Sequence, residues 1–437
     1  MTIRCFPRKA LATRAEHQRG VALVAVLLAL TMLTLIAMGM TFVSSTEVLI
    51  NDNNAKRLAQ LYAADSACEE ARLRIRQFLS LGQLSLTDLT HTVYLVSQLS
   101  INPVSGDATT NPFFDEHLEL TQSNSVVLSD LGALPFSWVK VWPKTETRSA
   151  YSLDDLTQTD DPVYFGYSKI LPPAKATQFV YSGSRRIDHT GSPVFLLTAL
   201  AKDHQGFRQS VTIDIARIPC PPLQAAFFAN SPIQVLGPTV SVDGNDQGTM
   251  TGSSLNGLES QGDITGDPSQ IRGSPLALRS FSGYSYDTAS LLKAFRPPLS
   301  RDIEHLGLSI SRDANGQLVA TGITLGSPTG NGDLTQVVYA GAPLTLSNSS
   351  GQGILIVNGD LNLDGELNYQ GLILVNGRVR MTGTGTGIHI SGAVLAIAAS
   401  GTLPSTLDGI VNLLFDSFLI QKQFDTLPYS RIAYKEN

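Results

Sequence analysis

GVALVAVLLALTMLTLIAMGMTFVSS, residues 20–45, carries no charge, and from Val21 to Val43 it holds only apolar residues, glycine and threonine. A helix rises about 1.5 Å per residue, so residues 21–43 span about 35 Å and cross a hydrocarbon core of about 30 Å. The rest of the 437-residue chain has the composition of soluble material, and its length suggests two or three units.

Ahead of the apolar stretch stand Arg4, Arg8, Lys9, Arg14 and Arg19 against one acid, Glu16. Positive flanks stay in the cytoplasm, which predicts a single inner-membrane pass with the amino end inside and everything after about residue 45 in the periplasm or beyond. Residues 1–19 carry +4 of a chain whose net charge is −6, leaving −10 for the remainder. A broad basic face for nucleic acid is therefore not expected.

A secretory signal has a shorter apolar run that ends in a small-residue cleavage site. Here the run continues without a helix breaker into a second pattern. Leu58, Leu61, Cys68, Ala71, Ile75 and Phe78 recur at helical steps, with Lys56, Arg57, Glu69, Arg72, Arg74 and Arg76 largely between them. Residues 21–79 read as one helix of about 90 Å, apolar all round in its first half and amphipathic in its second.

The junction QRGVALVAVLL (18–28) and the stretch NAKRLAQLYAADSACEEARLRI (54–75) resemble PilX-type minor pilins of type IV pili, relatives of the GspK-like minor pseudopilins. The resemblance implies a prepilin leader over 1–20, cut by prepilin peptidase between Gly20 and Val21, with Val21 methylated. It implies helix packing through Leu23, Leu27, Leu30, Leu35 and Phe42. Major pilins carry a glutamate at the fifth mature position, where this chain has Ala25, and that departure points to a place at or near a filament tip. The implied partners are other minor and major pilins, a tip adhesin or secreted cargo, and inner-membrane lipid before assembly. The implied destination is a cell-surface pilus or a periplasmic pseudopilus.

Residues 80–218 read as a small α+β head. Residues 80–130 have weak periodicity and suggest short helices and loops, followed by strand patterns at FSWVKVW (136–142) and VYFGY (163–167). Residues 194–217 read as an antiparallel hairpin turning at His204, Gln205 and Gly206. In its second arm Val211, Ile213 and Ile215 alternate with Thr212, Asp214 and Ala216, which predicts one buried and one more exposed face. PCPPLQ (219–224) then marks a boundary.

Residues 224–437 shift to Gly, Asn, Asp, Ser and Thr with short apolar runs. ILIVNGDLNLDGELNYQG (354–371), LILVNGRVRMTGTGTGIHISG (372–392) and AVLAIAASG (393–401) start 18 and 21 residues apart. IQVLGPTVSVDGND (233–246) reads as another repeat. The spacing predicts a β-solenoid-like all-β region whose rungs turn at Asn-Gly or Asp-Gly, interrupted by a helical insertion at about 285–309. The expected fold class is α+β: long helix, small antiparallel head, solenoid-like extension.

Cys68 and Cys220 would face an oxidising compartment, and a disulfide between them stays open. Asp243, Asn245 and Asp246 are weak candidates for calcium, since their spacing departs from a helix-loop-helix site; a solenoid turn is the simpler reading. Asp360 and Asp364 sit in comparable turns. No cofactor site is expected. A carbohydrate-active enzyme anchored in the periplasm is the rival class, and it would need paired carboxylates on neighbouring rungs, for which Asp360, Asp364 and Glu366 are available. A static envelope scaffold is the other rival. GTGTG (383–387) lacks the lysine and helix of a phosphate loop.

Overall fold

The computed structural model describes residues 12–80, 93–96, 125–127, 138–146, 161–168, 176–180, 189–202, 208–248, 254–284, 286, 288–295, 300–326, 337–397 and 403–436. The first described element is a single helix, Ala12–Ser80. It begins inside the stretch read as leader. The alanines, arginines, glutamate and glutamine there are all compatible with a helix, and one glycine at position 20 costs only about 1 kcal/mol relative to alanine. Residues 22–50 are exposed on every side.

Farther along, Ala63, Ala64, Ala67, Cys68, Ala71 and Ile75 are buried and form one face. Four of these six are alanines, so the helix axis approaches its sheet closely. The pattern of large apolar residues points to Leu58 as part of this face, yet it stays about half exposed. Phe78 lies outside the side chains described.

The sheet under this face has six strands in the order Ser125–Val127, Val93–Val96, Trp138–Pro143, Phe195–Lys202, Arg208–Arg217, Tyr429–Glu436. Its first pair is parallel and the others antiparallel, so the head sheet is mixed. Two of its strands come from the region read as helices and loops; the rest of 80–130 lies outside the described residues. The expected hairpin is present, with Phe195 opposite Ile215 and Lys202 opposite Arg208.

Val211, Ile213 and Ile215 face the helix and are fully buried. The opposite face is not left to solvent, which corrects the alternation reading. A second sheet of Thr177–Val180, Val163–Ser168 and His189–Pro193 covers it, and Ala216 packs with Val163, Val180 and Val194.

The body after Arg217 is a stack of mostly parallel strands. Its first tier is Ala225–Ala229, Ile233–Val235 and Val240–Asp243. A second tier, Asn256–Ser260, Ile264–Gly266 and Ile271–Arg272, stacks on it in parallel. The chain then crosses to the far end of the stack through a segment containing the helix Thr288–Phe295, inside the expected insertion. It winds back through Val337–Ala340, Leu344–Val357, Leu361–Val375, Val379–Ala396 and Ser405–Leu414. The last of these closes on the first tier, with Ser405 beside Ile233 and Val411 beside Val240. The first tier thus lies between its successor in sequence and the end of the stack.

Ile354 lies beside Leu372, and Leu372 beside Ala393, so the sequence repeats are neighbours in space. Residues 354–357, 372–375 and 393–396 are buried continuously, with the helix Ser417–Asp425 against their strands. A strand covered on both faces reads as an unbroken apolar run. Each run is preceded by a glycine at positive φ: Gly353 at 113°, Gly371 at 133° and Gly392 at 146°. A side chain at Gly392 would collide with the carbonyl oxygen of Gly371, and one at Gly371 with that of Gly353.

The final strand, Tyr429–Glu436, leaves the stack and pairs with Arg208–Arg217 in the head. The region read as one unit over 224–437 therefore gives its last residues to the other unit. No repeat signal separates YSRIAYKE from its neighbours, and only long-range pairing assigns it.

Candidate functional site

The long helix places the residues singled out for processing and packing. Gly20 and Val21 lie within its continuous backbone. Ala25, Leu23, Leu27, Leu30, Leu35 and Phe42 are all exposed, and the first acid in the helix after Gly20 is Glu47. Within this stretch the hydroxyls of Thr31, Thr34 and Thr41 donate to the carbonyl oxygens of Leu28, Thr31 and Ala37 at 2.9, 2.8 and 2.6 Å. Each hydroxyl is satisfied by its own helix, so none of the three is left facing an apolar surrounding unpaired. The segment is long and apolar enough to cross a membrane and is a candidate anchor.

The second half of the helix is fastened by polar contacts as well as by its alanine face. Arg72 donates from Nη1 to the Tyr429 carbonyl at 2.6 Å and from Nε to Glu69 Oε2 at 2.8 Å. Arg431 donates to Asp65 at 2.9 Å. Arg72 and Arg431 thus join the helix to the chain's last strand.

Neither Cys68 nor Cys220 is in a disulfide. Cys68 is buried between helix and sheet, its sulfur 3.9 Å from the Leu197 oxygen and 3.8 Å from that of Val211. Cys220 belongs to the proline run and packs against the other core. The pairing left open by the sequence is not made, because the two thiols lie in different apolar clusters. Cys220 lines a cavity of about 400 Å³ with Pro221, Leu255, Phe415 and Phe424. Burial, with a smaller contribution from Asp425, pushes its thiol up to about 12.

The weak calcium candidates hold protein donors. Asp243 Oδ1 accepts from the backbone and side-chain nitrogens of Asn245 at 2.9 and 2.8 Å. Asp246 Oδ1 accepts from Gly248 N at 3.0 Å and Ser417 N at 2.9 Å, and its other oxygen accepts from the Ser417 hydroxyl. These carboxylates shape a turn and fasten the start of the Ser417–Asp425 helix. Among the described residues no three His, Cys, Asp or Glu side chains form a metal-binding set.

A groove of about 570 Å³ crosses the stack, lined in part by Asp360, Asn362, Arg378, Arg380 and Asp408. Asp360 receives the Arg378 backbone N–H at 2.8 Å and its Nε at 3.1 Å, and the Arg378 Nη2 completes the pair. Partial burial works to raise the Asp360 carboxyl, but these Arg378 contacts outweigh it and hold the group below the ordinary carboxylate value. Glu366 accepts from Thr386 N at 2.9 Å, and neither it nor Asp364 lines the groove. The three carboxylates named from the sequence are not brought around one reacting centre. Residues 383–387 fall where the strand register shifts, so their glycines serve a bulge.

Sequence reasoning missed a cluster between the two head sheets. Lys144, Gln178 and Asp214 meet there from three separate segments, and no local spacing could have joined them. An aspartate inside the apolar strand pattern at 211–216 was the available signal; Lys144 lies just past the end of its strand.

No family model matches this chain, and neither does any curated protein. Among solved structures, the crystal structure of the competence-associated pilin ComZ from Thermus thermophilus is similar over 57% of this chain and 84% of its own, at 10% identity. Its TM-score of 0.18 is too low to carry a structural argument.

Proposed function

We propose that this chain is a membrane-anchored, prepilin-like structural subunit, of the PilX or GspK kind, with an assembly rather than a catalytic role. One observation carries the reading: within a 69-residue helix, residues 22–43 are apolar and exposed on every side, while Ala63–Ile75 dock by one alanine-rich face. An anchor alone needs about 20 apolar residues. A rigid continuation that fixes the head to the anchor suits a helix that leaves the bilayer and packs sideways against others of its kind.

In this reading the amino end faces the cytoplasm, prepilin peptidase cuts after Gly20, and Val21 becomes the methylated terminus. Gly20 weakens the helix where the peptidase must open it. Ala25 supplies no carboxylate for a neighbour's terminus, which suits the filament tip. The parallel stack acts as a β-solenoid that displays a periplasmic or extracellular surface to an adhesin, to cargo or to other pilins.

Amino-terminal sequencing of the exported protein tests this. The expected start is N-methyl Val21. A mature product that keeps residues 1–20 in a host with active prepilin peptidase overturns the filament reading.

A further inference from the structure

We propose that Lys144 and Gln178 join through a side-chain isopeptide bond, with Asp214 carrying the proton. Lys144 Nζ lies 2.9 Å from Gln178 Oε1 and 2.6 Å from Asp214 Oδ2. The same Asp214 oxygen lies 3.3 Å from Gln178 Nε2. One carboxylate oxygen therefore touches both the attacking amine and the amine that would leave.

The surroundings favour the reaction. The Lys144 side chain is 5% exposed and that of Asp214 11%, between the two head sheets. Lys144 is held by its own backbone on both sides: its N–H donates to Val194 O at 2.9 Å, and its carbonyl accepts from Val163 N at 2.8 Å. The nucleophile is thus fixed against the amide before any chemistry, the situation in which an intramolecular reaction gains most.

The step balances without an outside reagent. Lys144 passes a proton to Asp214, and the free amine attacks Gln178 Cδ. Asp214 then returns that proton to Nε2, the Cδ–Nε2 bond breaks and ammonia leaves, while the new amide nitrogen gives up its second proton to Asp214, which passes it to the departing ammonia and so ends as the carboxylate it began as. A primary amine and a primary amide become one secondary amide and one ammonia, with no change of oxidation state. The product fastens the Thr177–Val180 strand of the smaller sheet to the end of Trp138–Pro143, where a reductant cannot release it. The inference is independent of the filament reading.

The test uses the full chain, purified in detergent from cells lacking prepilin peptidase, and peptide mapping by mass spectrometry. The expected result is a branched peptide joining Lys144 to Gln178, one ammonia lighter than its two parts, with trypsin failing to cleave after Lys144. Gln178→Met removes the electrophile and Lys144→Arg the nucleophile, and either should restore two separate peptides. Asp214→Asn should slow bond formation; should that variant fail to fold, the Gln178→Met comparison still decides. Separate, unmodified Lys144 and Gln178 peptides from the wild-type chain overturn the proposal. So does a product one water lighter that joins Lys144 to Asp214.

Discussion

Arg72, midway along the docked half of the helix, donates a 2.6 Å hydrogen bond to the carbonyl of Tyr429, at the start of the last strand. The chain's final element therefore holds its first. Tyr429 is itself buried, its ring edge-on to Phe195 at 5.7 Å, so the acceptor is fixed by packing.

Arg72→Ala removes this bond and the Glu69 pair together. A hydrogen bond to a charged donor contributes about 1.5 to 3 kcal/mol, and the half-exposed Glu69 pair adds little. The expected outcome is a loss of about 2 kcal/mol from the head, seen as a lower melting temperature in detergent and faster proteolysis near residue 80. Deleting residues 429–437 should be worse, since it also uncovers the Arg208–Arg217 strand edge. An unchanged melting temperature for Arg72→Ala would show that the last strand does not hold the helix.

The helix was legible because its evidence is local: an apolar run, then a helical period. The hairpin at 194–217 and the stacking of 354, 372 and 393 were legible for the same reason, being fixed by short turns and repeats. What escaped was long-range. The return of Tyr429–Glu436 to the head, the insertion of the closing strand against Ile233, and the meeting of Lys144, Gln178 and Asp214 depend on which surfaces find each other. Alternation in Val211 to Ala216 signalled a strand but could not reveal a second sheet over Asp214.

The glycine column gives a sharp contrast. Gly392→Ala places a side chain at φ 146° against the Gly371 carbonyl. Such a site should cost about 2 to 3 kcal/mol and lower the unfolding temperature of the stack. Gly39 stands mid-helix, and a Cβ added there would meet nothing within 4 Å. Gly39→Ala should leave melting unchanged or raise it, by up to about 1 kcal/mol from helix propensity. Equal effects at both positions would remove the stacked-carbonyl explanation.

Cys220 makes a prediction about reactivity. With its thiol pushed up to about 12, almost none is thiolate at about pH 8, and alkylation should be slow. Iodoacetamide labelling followed by peptide mapping should show Cys220 largely unmodified in the native chain and rapidly modified in denaturant. Migration on gels should be the same with and without reductant. A Cys68–Cys220 linked peptide from exported protein would contradict their separation into different apolar clusters.

The Asp360–Arg378 pair sets a direction with pH. A carboxyl held below its unfolded value contributes stability that is present above the unfolded value of 3.8 and lost as pH falls through the folded one. Because both side chains are more than a third exposed, the contribution at neutral pH is discounted to about 0.5 kcal/mol. Asp360→Asn should therefore unfold slightly more easily than wild type at neutral pH, and the gap should close in strong acid. Urea titrations at about pH 7 and about pH 3 check this, and a gap that widens in acid would contradict it.

The two halves of the helix should respond to opposite substitutions. Leu35 is exposed and touches no part of the head, so Leu35→Arg should leave the melting temperature in detergent unchanged. In a bilayer the same change puts a cation mid-span, at about 2.5 to 3.5 kcal/mol on insertion scales, and should release part of the protein from carbonate-washed membranes. Ala67 is buried against the sheet, and Ala67→Leu forces the helix outward. Overpacking of this kind costs about 1 to 3 kcal/mol, so melting should fall while membrane retention holds. Should Leu35→Arg instead destabilise the head, or Ala67→Leu release the chain from membranes, the division of this helix into a membrane half and a docked half would fail.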